Sequence, residues 1–78
     1  MNREELEKKL KMIGVPEYIY NLTDHGKKDE RLCLERDQDK WSVYYSERGI
    51  KTTNKYFDSE DAACQFLYEQ LHGIGRII

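Results

Sequence analysis

Lys40-Trp41-Ser42-Val43-Tyr44-Tyr45-Ser46-Glu47-Arg48-Gly49, residues 40–49, is the stretch that decides the fold. Trp41, Val43 and Tyr45 alternate with Ser42, Tyr44 and Ser46, and the apolar members are β-branched or aromatic, so the run reads as a strand with one buried face. Glu47-Arg48-Gly49 then closes a hairpin, with Gly49 the natural occupant of a left-handed position. On either side lie two weaker strand patterns. Arg31 to Arg36 alternates, with Leu32 and Leu34 opposed to Cys33 and Glu35, and Asp37-Gln38-Asp39 turns the chain into the central strand. Ile50 to Phe57 carries Ile50, Thr52, Thr53, Tyr56 and Phe57 with poor alternation, and Lys51 and Lys55 suit an edge, where charge discourages pairing with another molecule.

Helical patterns flank the strands. Asn2 followed by Glu5 resembles a capping box, and Leu6, Leu10 and Ile13 recur at helical spacing, which predicts a helix over about residues 3–13 that Gly14 stops. Pro16 is placed to open one further helical turn, folding Tyr18, Ile19 and Leu22 onto the core. Residues 23–30, Thr-Asp-His-Gly-Lys-Lys-Asp-Glu, are polar throughout and read as a mobile surface loop. Asp58, with Ser59, Glu60 and Asp61 behind it, starts a second helix whose buried stripe is Ala63, Phe66, Leu67 and Leu71 and whose stop is Gly73. The apolar tail 74–78 is expected to dock beside the sheet or to form a small sticky surface.

The expected architecture is therefore one α+β domain over residues 1–78, in the order α-β-β-β-α: a three-stranded antiparallel meander with two helices packed on one face. Leu6, Leu10, Leu32, Leu34, Trp41, Val43, Tyr45, Phe66, Leu67 and Leu71 should be buried together. The opposite face, with Cys33, Glu35, Ser42, Tyr44 and Ser46, is expected to face solvent. A chain of 78 residues buries one small core.

Charge and chemistry narrow the function. The 13 basic and 15 acidic side chains nearly cancel to a net charge of −2, which disfavours nucleic acid as a partner. No apolar stretch backs the basic start and no run is long enough to span a bilayer, so no signal peptide and no membrane segment are expected, and the expected compartment is the cytoplasm. Cys33 and Cys64 lie far apart and outside any C-x-x-C spacing, so both are read as reduced, partly buried thiols. His25 and His72 sit near no cysteine in sequence, and Gly73-Ile74-Gly75 follows a helix and so cannot cradle a phosphate. No catalytic residue, cofactor or metal is expected.

What remains is binding. Six tyrosines, two phenylalanines and one tryptophan exceed what a small core can hide. Trp41, Tyr45, Phe57 and Phe66 are assigned to the core, which leaves Tyr44, with Tyr56 or Tyr68, for a partner. The candidate partner-binding residues are Tyr44, Glu47 and Arg48 around the hairpin, joined by Asp24, Lys27 and Lys28 of the loop. The α-β-β-β-α order is also that of double-stranded-RNA-binding domains, but those grip phosphate with basic residues at the start of the second helix, and here that helix begins Asp58-Ser59-Glu60-Asp61. A homodimer along the strand edge or through Ile77-Ile78 stays open.

The run 40–49, followed by Phe57-Asp58-Ser59-Glu60-Asp61-Ala62-Ala63-Cys64 and preceded by Arg31-Leu32-Cys33-Leu34-Glu35, resembles small proteins of toxin–immunity loci of Gram-positive bacteria, over about residues 3–71. The resemblance implies a cytoplasmic immunity protein that binds and blocks a cognate toxin domain and performs no catalysis. The loop 23–30 is more charged here than in those proteins, a departure that bears on partner specificity.

Overall fold

A computed structural model describes the backbone of residues 1–77 and the side chains of residues 1–72. Helix α1 spans Arg3–Met12, and its start is the capping box expected from sequence: the Asn2 side chain accepts the Glu5 amide while the Glu5 carboxylate accepts the Asn2 amide, satisfying two otherwise orphaned donors. The chain leaves the helix at Gly14, which adopts φ +82. Pro16 then precedes a single 3-10 turn, Glu17–Ile19. Strands follow as β1 (Tyr20–Asn21), β2 (Arg31–Asp37), β3 (Lys40–Glu47) and β4 (Ile50–Phe57), and the chain finishes in α2 (Glu60–Ile77).

The class is α+β, but the sheet has four strands in the order β1-β2-β3-β4, where three were expected. The antiparallel meander β2-β3-β4 forms with Leu34 opposite Val43 and Trp41 opposite Phe57. The added strand β1 pairs parallel to β2 through Tyr20–Leu32 and Asn21–Cys33. Both hairpins have two-residue turns. In the β3–β4 turn Arg48 and Gly49 both take positive φ, +52 and +80, as a type I′ turn requires, and Gln38 takes φ +58 in the β2–β3 turn. The poor alternation of β4 has a local cause: between Val43–Lys55 and Tyr45–Thr52 the register slips at a bulge, where the β-branched Thr53 is held at φ +53.

One core lies between the sheet and the helices, with Leu6 and Leu10 of α1, Leu34 and Val43 of the sheet, and Ala63, Cys64, Leu67 and Leu71 of α2 all buried, and Val15, Tyr20 and Leu22 closing it from the first connection. Leu32, Trp41, Tyr45 and Phe66, expected to be buried with them, are half-buried. The Arg3 and Arg36 guanidiniums lie over the Trp41 ring, 4.9 and 5.6 Å from its centre, so those stems rather than apolar side chains cover part of the indole.

Two expectations about α2 are corrected. Ser59, not Asp58, caps the helix, its hydroxyl accepting the Ala62 amide, while Asp58 pairs with Lys40 across the sheet end. The helix also does not stop at Gly73 but continues to Ile77; the side chains of the tail 74–78, expected to dock or to stick, lie outside the described residues. The larger correction concerns the second face of the sheet. Cys33, Ser42, Tyr44 and Ser46 share that face as the alternation requires, yet all four are buried. The segment that follows β1 reaches Cys33 and the Ser46 backbone, while Lys51 lies over Tyr44 and Asn54 takes up the Ser42 hydroxyl.

Candidate protein-binding surface

The segment after β1 is built around one side chain. Asn21, itself buried, accepts from the Thr23 amide at 2.8 Å and the Thr23 hydroxyl at 2.7 Å, and its amide group donates to the carbonyls of His25 at 3.0 Å and Lys27 at 2.7 Å. An asparagine that bonds the backbone just ahead of it imposes a tight turn without help from a strand or helix. Gly26 sits inside this turn at φ +93, where an added Cβ would lie 3.5 Å from the Asn21 amide nitrogen.

From there the loop is tied to the sheet residue by residue. The Asp24 carboxylate accepts from the Arg36 amide at 2.9 Å and the Arg3 guanidinium at 3.0 Å. The Arg36 hydrogen bond, with Arg3 adding to it against some burial, holds the Asp24 carboxyl below the usual range. Lys28 donates to Glu35 at 2.6 Å and to the Asp24 carbonyl at 3.3 Å. Asp29 accepts the Arg48 amide at 2.6 Å, and the Glu30 amide donates to the Ser46 carbonyl at 2.6 Å, which joins the loop to the β3–β4 hairpin.

Under the loop is a small polar interior. The Cys33 thiol donates to the Lys28 carbonyl at 3.6 Å, and burial pushes its pKa up, so under the closed loop it is held as the protonated thiol. Tyr44 is 1% exposed, with the Lys51 ammonium 4.4 Å from its ring centre. Its hydroxyl has no hydrogen-bond partner of normal geometry although Cys33 and Glu35 lie beside it, and burial drives its pKa far up. Burial also works against the charge of Glu35, but Lys28 and then Lys51 outweigh it and hold that carboxyl below its ordinary value.

The structure thus separates the six residues proposed from sequence. Tyr44 is corrected: it is buried, with Lys51 over its ring, and is not on the surface. Glu47 and Arg48 are exposed at the hairpin turn, and Lys27 is exposed on the loop. Asp24 and Lys28 are partly spent on internal ion pairs, their side chains half and one-third exposed. The Asp29–Arg48 hydrogen bond brings loop and turn together. Residues that the sequence reading did not place in the site are Asn21, which organises it, and the exposed Ile50 of β4; an asparagine two residues before a threonine and shortly before a glycine was the available signal for the first.

Among the described residues no three His, Cys, Asp or Glu side chains come together as a metal site would require, and no helix is long and apolar enough to cross a membrane. An open depression of about 350 Å³ beside the loop is lined by charges of both signs, including Arg3, Glu7 and Asp24. No protein-family model, curated protein or solved structure matches the chain.

Proposed function

We propose that the protein is a non-catalytic protein-binding module, acting in the cytoplasm as an immunity protein that occupies and neutralises one toxin domain. The observation that carries the reading is the pinned loop: a polar segment that would cost ordering entropy on binding is already held by Asn21, Asp24 and Asp29 and is joined to the hairpin that presents Glu47 and Arg48. A surface of this kind offers charges of both signs in fixed places, which selects a partner and speeds encounter with it. Its aromatic contact is not Tyr44; Tyr56, 55% exposed on β4, is the aromatic that remains available. The acidic residues Glu60 and Asp61 in the first turn of α2 weigh against the RNA-binding alternative.

The test is co-expression with the toxin domain encoded beside its gene. Survival of the cells and a complex on a sizing column are expected, and Lys27→Glu with Arg48→Glu should weaken that complex by about 1–3 kcal/mol while leaving the melting temperature unchanged. Cell death with no complex would overturn the proposal.

A further inference from the structure

The outer side of β4 is an unoccupied strand edge. Every residue from Ile50 to Tyr56 is exposed, Ile50 at 64%, and Phe57 alone is half-buried. Among the described residues, no hydrogen bond from a loop or side chain reaches the backbone of residues 50–57 on that side, whereas on the opposite side of the sheet Asp24 takes up the Arg36 amide and β1 lies along β2. Edges left this way accept an added strand, and the side chains along them decide which strand.

The charge along β4 is of one sign. Ile50-Lys51-Thr52-Thr53-Asn54-Lys55-Tyr56-Phe57 contains two lysines and no acid. A second copy of this chain is a poor occupant, because it would bring two further lysines and no acid to an edge that already carries two. The bulge adds a second constraint. By shifting the register it puts Lys51 on the loop face, over Tyr44, and Lys55 on the helix face, 5.2 Å from the Phe66 ring centre. Acids an odd number of residues apart on an incoming strand meet one lysine on each face, with Lys51 exchanging its 3.5 Å contact with Glu35 for the new one while Lys28 keeps Glu35 paired.

We infer that β4 takes up an extended acidic segment of another protein as a fifth strand, with acidic side chains on both faces of that strand and Ile50 and Tyr56 as apolar contacts at its ends. The inference rests on the protein-binding reading but does not need the partner to be a toxin.

The probe is a capped synthetic peptide, Thr-Val-Glu-Val-Thr-Glu-Val-Thr, added to the purified full chain and followed by amide chemical shifts and hydrogen exchange. Saturable shifts and about tenfold slower exchange confined to residues 50–57 are expected. A peptide N-methylated at alternate amides should not bind, and the Lys51→Glu, Lys55→Glu variant should reject the acidic peptide and accept the same peptide with lysine in place of glutamate. The inference fails if the peptide has no effect at about 1 mM. It also fails if the shifts fall on residues 23–30 instead, if lysine and glutamate peptides bind the unaltered protein equally, or if N-methylation makes no difference. Protection of β4 that grows with protein concentration alone would assign the edge to a second copy and likewise overturn it. None of these outcomes depends on the co-expression test.

Discussion

Along β2 the sheet is finished by its own chain: β1 pairs with its first half, Asp24 takes up the Arg36 amide, and the loop behind Asn21 folds over Cys33. Along β4 the same sheet is left bare, guarded only by two lysines and a bulge. Nature manages edges both ways, by cover or by charge and twist, and this chain uses one method on each side. The difference teaches where stability and where recognition reside. Burial and hydrogen bonds are concentrated at the covered side, while the open side contributes little to the fold and keeps its backbone groups free.

The contrast should be largest for apolar truncations. Leu34→Ala on β2, at a fully buried site, should cost about 2–5 kcal/mol, whereas Ile50→Ala on β4 should stay within about 0.5 kcal/mol, both read from urea denaturation midpoints. Equal costs would mean that the β4 edge is covered in solution. The polar counterpart is smaller. Asn21→Ala strips the loop of its organiser and should cost about 1–3 kcal/mol, with faster amide exchange in residues 23–30 and none gained in β4, while Lys55→Gln changes neither. Tyr44→Phe sharpens the picture of the covered face: removing a buried hydroxyl that has no partner should leave stability unchanged or raise it by about 1 kcal/mol. A loss instead would show that Glu35 or Cys33 bonds the hydroxyl in solution.

The smallest effect is one of pH. Asp24 and Glu35 both have folded-state pKa values below their ordinary ones of 3.8 and 4.5, so each contributes stability that is present above those values and is lost as pH falls through the folded ones. Both groups belong to the covered side. Asp24→Asn should flatten the acid limb of a stability–pH curve, and Lys51→Gln should flatten it less, because Lys28 at 2.6 Å is the nearer partner of Glu35.

How much of this was legible follows from the range of the signals. The capping box of α1, the β3–β4 turn at Arg48-Gly49 and the central strand are local, each decided by residues within a few positions, and the structure has them where the sequence reading put them. β1 was missed because two residues show no period, and Tyr20-Asn21 sits in a stretch read as a helical turn. Alternation told correctly that Cys33, Ser42, Tyr44 and Ser46 share a face, but it cannot tell what lies above that face; a cysteine and a tyrosine among the serines were the hint that something does. The error over Tyr44 has that origin. Glu47 and Arg48 are exposed, Arg48 because a two-residue turn leaves its charged residue nowhere else to go and Glu47 because it ends the strand beside it. At α2, Asp58 and Ser59 are both good caps, and only the Lys40 ion pair, a contact between distant residues, decides between them.

The two buried thiols give this molecule a pair of built-in clocks. Cys33 is sealed by the loop, with burial raising its pKa, and Cys64 by the helices, with burial and then Glu60 raising its pKa to about 11. An alkylating reagent must wait for each cover to open. If the loop lifts by itself, Cys33 reacts first and its rate is indifferent to mild denaturant, while Cys64 waits for the whole domain to come apart and quickens steeply with it. Because the two sulfurs time the two layers in one sample, the lifetime of the covered face can be measured against that of the core without introducing any label.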